Sequence, residues 1–452
     1  MKCKYIFSIL LMAFVLSCLI GCEINVNKND ETDDQNNNNQ VVNNNSNNNN
    51  NNSNNNNNNN DNNNSNNNNS NNNNNNDNNN SNNNNSNNNN SNNNNNNNDN
   101  NNITNNDTNE CLLMQNGDNL QGTQARCVEI AEDASISFSG VVLFPAGTEL
   151  IVHPGVTFLA DTATETYIII DRGAKINAQG TADKPITFTS SKAVGSRGAQ
   201  DWGGIIINGY ASSNLAYEPI GLGNSGLYGG NNDADNSGII KYVRIFFAGK
   251  LIAAMYELNG LTLQGVGSGT TFEYIQVHNC SDDGIEPYGG TFNMKYIVST
   301  GNGDDQLDGT DGWRGKLQFV ALASIDKNLD EEFGLSGDKA IEWDNNEEDN
   351  SLTPRTNLTV YNLTALMSVN MTAIKPRRGT SATFRNIYVA YNSAANQKAN
   401  HCVVSDDALT DVEIDYALFE NCGDSGNSAT DGGLLIRGAF ITVDNTLPTY
   451  VD

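Results

Sequence analysis

Positive charge is scarce in this chain of 452 residues. Twenty-four Lys and Arg stand against 52 Asp and Glu, a formal net charge of −28. Phosphate backbones are gripped by clustered Lys and Arg, so this balance excludes a nucleic-acid binder. Histidine numbers only 3, and no CxxC or Cys/His spacing offers zinc a ligand set. Beyond the N-terminus no apolar run is long enough to span a bilayer as a helix. A helical period of apolar residues is also missing. One long stretch lacks apolar residues almost entirely: between Asn51 and Asn100, 41 of 50 residues are Asn. Such a tract cannot offset its ordering entropy by burial.

The N-terminus is where apolar residues are concentrated. Lys2 and Lys4 precede the run Tyr5–Leu16, and Leu19-Ile20-Gly21-Cys22 follows. A basic head, a short apolar core and small residues before the cut are the marks of an export signal. Leu-Ile-Gly-Cys resembles the lipobox of bacterial lipoproteins, which implies cleavage before Cys22 and acylation (palmitate among the chains) of its thiol. Residues 1–22 then form the signal peptide, and Cys3 and Cys18 leave with it. The other reading is an ordinary signal with a chance Cys. Several acyl chains hold a protein to a membrane far better than one. The expected location is the cell envelope, lipid-anchored, at the outer membrane and surface-exposed. Residues 23–107 read as a disordered Asn-rich linker, spanning about 50 Å as a random coil. It is either a spacer that lifts a domain off the envelope or a neutral expansion of an Asn repeat.

Residues 108–452 have another texture, rich in Gly, Thr, Ile and Val with short apolar alternations. Similar segments recur: Ile240–Ile245, Phe272–Val277, Phe292–Val298 and Leu317–Val320, with further copies from Leu358, Phe384 and Val412. Tyr274 to Tyr296 is 22 residues, Tyr296 to Phe319 is 23, and Phe319 to Leu363 is 44, read as twice 22. A second strand is expected after a polar turn, as in Gly284–Gly290, Gly312–Gly315 and Gly433–Gly438. A period of this length with two or three short strands is one coil of a parallel β-helix. Coils stack at about 4.8 Å, and single coils would leave open edges. The fold class is therefore all-β, a right-handed parallel β-helix (solenoid) behind a disordered tether. A β-sandwich is the rival, but hairpin signals are sparse.

Two stretches carry a resemblance. Gly180–Ser190 followed by Asp201–Gly209, and Tyr274–Glu286 followed by Gly303–Asp308, look like a largely uncharacterised family of secreted bacterial right-handed β-helix proteins. The resemblance implies architecture and an envelope location, but no reaction.

Five Cys remain in the domain, and export favours their oxidation. Cys111 and Cys127 bracket a polar loop before the first coils and are paired here as a staple. Cys402 and Cys422 are paired near the other end. In the alternative reading Cys280 and Cys422, which occupy matching positions, are buried thiols.

Candidate chemistry lies in acidic turns: Ser281–Glu286, Gly301–Asp311, and the segment with Asp424 and Asp431. Asp283 and Asp305 are 22 residues apart, one coil, so they should stack. Stacked carboxylates repel unless a cation or a proton intervenes. Three readings follow. Asp304, Asp305, Asp308 and Asp311 offer hard oxygens on a Gly-rich turn, as calcium needs. Gly301–Gly309 resembles a single RTX nonapeptide, with Thr300 where its first Gly belongs. Alternatively Asp282, Asp283, Asp304 and Asp305, with Asn279, supply paired carboxylates for glycoside cleavage. The Gly-His-Gly and Arg-Ile-Lys elements of polygalacturonase-like enzymes, which this arrangement resembles, are missing. A lyase would need a base, for which Lys375, Arg377 and Arg378 are the candidates. The third reading makes Asp, Asn and Gly simple turn formers. Trp202, Trp313 and Trp343 with Tyr288 are either a sugar platform or, as expected here, inward stacks. Asp326–Asp349 breaks the spacing and reads as a loop excursion, either one that covers a groove or, as expected here, a solvated insertion.

The first functional expectation is therefore non-catalytic: an envelope lipoprotein presenting a β-helix for adhesion or glycan binding, stabilised by calcium. The alternative is a polysaccharide hydrolase or lyase using the Asp column, and a purely structural envelope protein is the third. Partners are the membrane, through the lipid, and a polysaccharide or cell-surface glycan.

Overall fold

The computed structural model describes residues 110–216, 219–253, 256–324, 337–368, 371–391, 401–420, 427–429 and 433–437. The proposed signal, Cys22, the Asn-rich linker and Cys422 lie outside them. No helix among the described residues is long and apolar enough to cross a membrane. The one helical element among the described residues is a 3-10 turn, Leu222–Asn224.

Parallel strands build the rest, apart from one antiparallel pair, Leu251–Ala253 with Tyr256–Glu257. Twenty form a single sheet, and four more, starting with Ile341–Asp344, form a second. Between Glu149 and Asn208 a coil has three short strands; from Gly238 on, one long strand takes the place of two of them, Gly238–Phe246 pairing with both Lys175–Gln179 and Ile186–Ser190. Long strands pair in succession: Gly238–Phe246, Thr271–His278, Asn293–Thr300, Lys316–Ala323, Asn357–Met367, Ser381–Tyr391 and Asp411–Glu420. Short strands make a separate face, running from Tyr167–Ile170 through Ile205–Asn208, Leu261–Gln264 and Ile285–Tyr288. It continues through bridges at Leu307 and Thr310 to Ile341–Asp344, Ile374–Arg377 and Val403–Ser405. This architecture is the parallel β-helix.

The long strands are bent at a recurring corner. Tyr242, Tyr274, Tyr296, Phe319, Asn362, Asn386 and Tyr416 all adopt a left-handed backbone, with φ between 53° and 60°. The ladder skips each of them: Lys241 pairs with Glu273 and Val243 with Ile275, leaving Tyr242 opposite Tyr274 outside the register. A side chain in this conformation costs about 1–2 kcal/mol. Stacking between coils offsets it. The rings of Tyr242, Tyr274, Tyr296 and Phe319 lie parallel at 4.2, 4.3 and 5.1 Å. Further along, the Asn386 amide donates to Asn362 Oδ1 at 2.7 Å.

Inside, alternate residues fill one continuous core with Phe138, Phe158, Phe188, Phe272 and Phe292. Trp202, Trp313 and Trp343 are fully buried in it. They pack against other rings, Trp202 on Phe138 at 5.4 Å and Trp313 on Trp343 at 5.0 Å. They form no sugar platform. Cys111 and Cys127 are joined by a disulfide in the first coil. Cys402 is also disulfide-bonded, and Cys280 is a buried free thiol.

Three expectations are corrected. Gly433–Arg437 is no second strand, since it pairs with Asp411–Asp415 in the long-strand succession. Phe319 to Leu363 is one coil, because Val320 pairs directly with Leu363. Ile341–Asp344 is the short strand of that coil, and residues 345–356 lead from it to the next long strand. Gly312–Gly315 is a turn that drops Trp313 into the core, and the strand position of that coil falls earlier, at Leu307–Thr310.

Candidate functional site: an acidic face

On the short-strand face, alternation sorts side chains by register. Ile285 and Pro287 point inward, and Glu286 and Tyr288 outward. One coil on, Leu307 and Gly309 point inward, and Asp308 and Thr310 outward; then Ile341 and Trp343 are inward, Glu342 and Asp344 outward. Lys375 and Arg377 follow opposite Glu342 and Asp344. Two outward rows result. One runs Glu286, Asp308, Glu342, Lys375, and the other Tyr288, Thr310, Asp344, Arg377.

The turns entering these strands add a third set of acids. Their order is imposed by the backbone: the Asp305 N–H donates to Asp283 Oδ1 at 2.9 Å, and the Lys339 N–H to Asp305 Oδ1 at 2.7 Å. Three groups of carboxylate oxygens come within 4.8 Å of one another: Asp283, Asp305 and Asp308; Asp282, Asp283 and Asp304; and Asp304, Asp305 and Asp338. Asp283 and Asp305 are deeply buried, Asp282 half-buried and Asp304 exposed.

Among the described residues, charge is compensated on one half of this face only. The Lys339 ammonium lies 3.1 Å from Glu342 and 3.8 Å from Asp305, and also bonds Asp338. Arg377 bridges Glu342 at 2.7 Å and Asp344 at 2.6 Å. Arg378 joins Asp344 at 2.6 Å to Glu347 at 3.1 Å. Lys375 turns away to Asp406 at 3.1 Å. The other half has neutral donors: Glu286 accepts from the Tyr288 hydroxyl at 2.6 Å and from the Asn259 amide.

Desolvation therefore dominates the titration of the acids, with neighbouring carboxylates adding to it. Burial pushes Glu286 up to about 8. Burial, then Asp304 and Glu257, push Asp282 up to about 7. Asp283, Asp305 and Asp308 are raised well above the ordinary carboxylate range by burial first, although Lys339 draws Asp305 back. Asp304 is raised as well, by burial and by Asp338. Lys339 is held charged, its desolvation outweighed by Asp305, Asp338 and Glu342.

A long excursion between Ile205–Asn208 and Gly238–Phe246 walls this face. Asn214 donates to Asn345 O at 2.8 Å and accepts from the Asn346 amide at 3.2 Å. Arg314 ties Ser212 and Asp233 at 2.8 and 2.9 Å. Closer to the first coils, Leu222 and Ile252 pack over Ile169, Ile206 and Leu258.

Asp282, Asp283, Asp304 and Asp305 are thus gathered, and Asp305 and Asp308 share a group with Asp283. Asp311 does not join: it belongs to none of the three groups and accepts from the Tyr228 hydroxyl at 3.3 Å and the Asn346 amide at 3.2 Å. Burial pushes it up to about 6. Arg377 and Arg378 do meet acids, as ion-pair partners. The solvated-excursion reading of Asp326–Asp349 is wrong for its second part, since Glu342 and Asp344 are buried in the face with Lys339. The pattern Ile341-Glu-Trp-Asp344 matches Ile285-Glu-Pro-Tyr288 and was the available signal. Asp424 and Asp431 lie outside the described residues.

Residues 122–422 match the sequence pattern of the pectate-lyase-like β-helix domain. A comparison with curated proteins finds no match. Among solved structures, the enzymatically active domain of tailspike protein 2 from bacteriophage CBA120 is 12% identical, with a TM-score of 0.34, over 70% of this chain and 42% of that one. This chain thus spans less than half of that domain. The alginate lyase of a Paenibacillus species is 14% identical, with a TM-score of 0.25, over 65% of this chain and 92% of its own. The Agl-KA catalytic domain is 11% identical, with a TM-score of 0.28, over 69% and 62%.

Proposed function

This chain belongs to the pectate-lyase-like β-helix family, and from that premise we propose that it cleaves a polysaccharide at its acidic face. One observation carries the reading. Asp282, half-buried, and Asp304, exposed, sit on adjacent coils with an oxygen of each within 4.8 Å of the other. That spacing is nearer the roughly 5 Å of retaining glycosidases than the wider gap that admits a water. Asp282, pushed up to about 7, is protonated near neutrality and serves as the acid for the leaving oxygen. Asp304 bonds the anomeric carbon as the glycosidic C–O bond breaks. Water then attacks that ester, returns a proton to Asp282 and frees Asp304, so the configuration is retained.

Two further parts belong to the proposal. Asp283, Asp305 and Asp308 are where a calcium ion fits: hard oxygens from two turns and the strand position that follows, with Asp283 and Asp305 each committing one oxygen to a backbone N–H and keeping the other. Its contribution is neutralisation of buried charge. Acylation of Cys22, on the Leu19–Cys22 motif, anchors the protein to the envelope; Cys22→Ser is expected to abolish palmitate labelling and shift the protein to the soluble fraction.

The test is release of sugar reducing ends from a panel of plant, algal and bacterial polysaccharides. Asp282→Asn and Asp304→Asn are each expected to lower the rate at least about 100-fold, the scale of general acid catalysis, while leaving the melting temperature near that of the parent. Equal rates in the variants would sink the assignment. A second reading, glycan binding without cleavage, is favoured by the burial of Asp283 and Asp305; it would be recognised by retention of a polysaccharide that the protein never cuts.

A further inference from the structure

The corner of the long strands, away from the acidic face, gathers three tyrosines. We infer that Tyr242, Tyr274 and Tyr296 form an oxidation site, at which hydrogen peroxide acting through a one-electron peroxidase joins two tyrosines of adjacent coils as dityrosine. Their rings stack at 4.2 and 4.3 Å, with only 11° and 10° between the ring planes. All three are half-buried, and all share the left-handed corner backbone, with φ of 53°, 56° and 60°. One phenol per coil is thus set in line along the axis. Packing alone does not require the phenol oxygen. The next coil fills the corner with Phe319, stacked at 5.1 Å on Tyr296, and later coils fill it with Asn362 and Asn386. Lys241 lies alongside: its ammonium pairs with Glu273 at 2.9 Å and stands 5.9 and 5.6 Å from the ring centres of Tyr242 and Tyr274.

Burial, and then the neighbouring hydroxyls of Tyr242 and Tyr296, push the ionisation of Tyr274 upward, so it meets an oxidant as the neutral phenol. Each of two phenols gives up one electron and its hydroxyl proton. The two radicals join by a new C–C bond between carbons ortho to oxygen, and the hydrogens of those carbons move back to the oxygens. The pair is then poorer by two hydrogens, and one peroxide has become two waters. Coupling of free tyrosines is bimolecular, whereas the stack makes it a step within one molecule, which removes most of its entropic barrier. The rings need only tilt toward each other, since stacked coils hold their strands about 4.8 Å apart. Tyr274 is the shared member, with a phenol on either side. Tyr416 supplies the contrast. It has the same corner backbone and is 49% exposed, yet the preceding coil places Asn386 opposite it.

In the experiment, the full-length protein is kept dilute and treated with limiting hydrogen peroxide and a haem peroxidase. Trypsin then puts the three tyrosines on different peptides, because Arg244 and Lys250 separate Tyr242 from Tyr274, and Lys295 separates Tyr274 from Tyr296. Blue dityrosine fluorescence from a chain that still migrates as a monomer is the expected result. Mass spectrometry should find the Tyr274 peptide joined to that of Tyr242 or of Tyr296, two hydrogens lighter than their sum. Tyr274→Phe keeps the stacked ring and is expected to lose the bridge, while Tyr416→Phe retains it. Dityrosine confined to dimers, a bridge mapped only to other tyrosine pairs, or monomer fluorescence unchanged in Tyr274→Phe overturns the inference. So does a parent protein that forms none while a free tyrosyl peptide couples under the same conditions. The peptide map of the parent decides the matter even where Tyr274→Phe fails to fold.

Discussion

Lys339 shows how much one side chain decides on this face. Its ammonium is the shared counter-ion of Asp305 and Glu342, both buried, and its own backbone N–H fixes Asp305 in place. A buried ion pair adds little net stability over an apolar substitute, but removal of one partner strands the other. Lys339→Met is therefore expected to cost about 3–5 kcal/mol in urea unfolding near neutral pH. The loss should shrink in acid, where Asp305 and Glu342 can take up a proton instead. A loss of equal size at both pH values would mean that the aliphatic stem, and not the charge, is what the site needs. The same accounting explains why Asp311 stands apart: it has neutral donors of its own in Tyr228 and Asn346.

At the scale of the strand, inward positions must fit their neighbours along the axis. Gly309 sits on Trp343, and a Cβ built there would lie 2.3 Å from the indole ring. Gly309→Ala is thus expected to destabilise the domain by about 1–3 kcal/mol, with altered near-ultraviolet circular dichroism from the displaced indole; an unchanged melt would mean that the coil spacing yields. The alternation that puts Trp343 inside was legible in the sequence, because a period of two survives in every coil. So was the 22-residue interval that stacks Asp283 and Asp305. The phase within the coil was not legible. Tyr274 and Tyr296 recur with the strands, yet they are the corners where the ladder breaks, since no local pattern distinguishes a left-handed Tyr from an extended one. Nor does spacing reveal how much of an interval is excursion. Between Phe319 and Leu363 the length of two coils holds one, and with that the cation Lys339 and the acids Glu342 and Asp344 were hidden in what read as solvated sequence.

For the whole molecule, the sum of these buried acids sets the response to pH. Asp311, Asp282 and Glu286 are pushed up to about 6, about 7 and about 8, and burial also raises Asp283, Asp305 and Asp308 well above the ordinary carboxylate range. Unfolded carboxyls titrate near 4, so between about pH 4 and about pH 8 the folded state binds more protons than the unfolded one. Stability then falls as pH rises through that window, the opposite of the usual carboxylate case. In EDTA the melting temperature is expected to decline steadily from about pH 5 to about pH 8. Calcium should reverse the decline, because a cation among Asp283, Asp305 and Asp308 replaces the protons that neutrality removes. By mass action a calcium concentration 100 times the dissociation constant adds about 2.7 kcal/mol. The gain should be largest at the alkaline end, where protons no longer compete, and Asp305→Asn should reduce it. Calorimetric melts across that range, with EDTA and then with millimolar calcium chloride, decide the matter. Stability that rises with pH in EDTA would contradict the burial of these acids, and a decline that calcium leaves untouched would assign their compensation to protons and Lys339 alone.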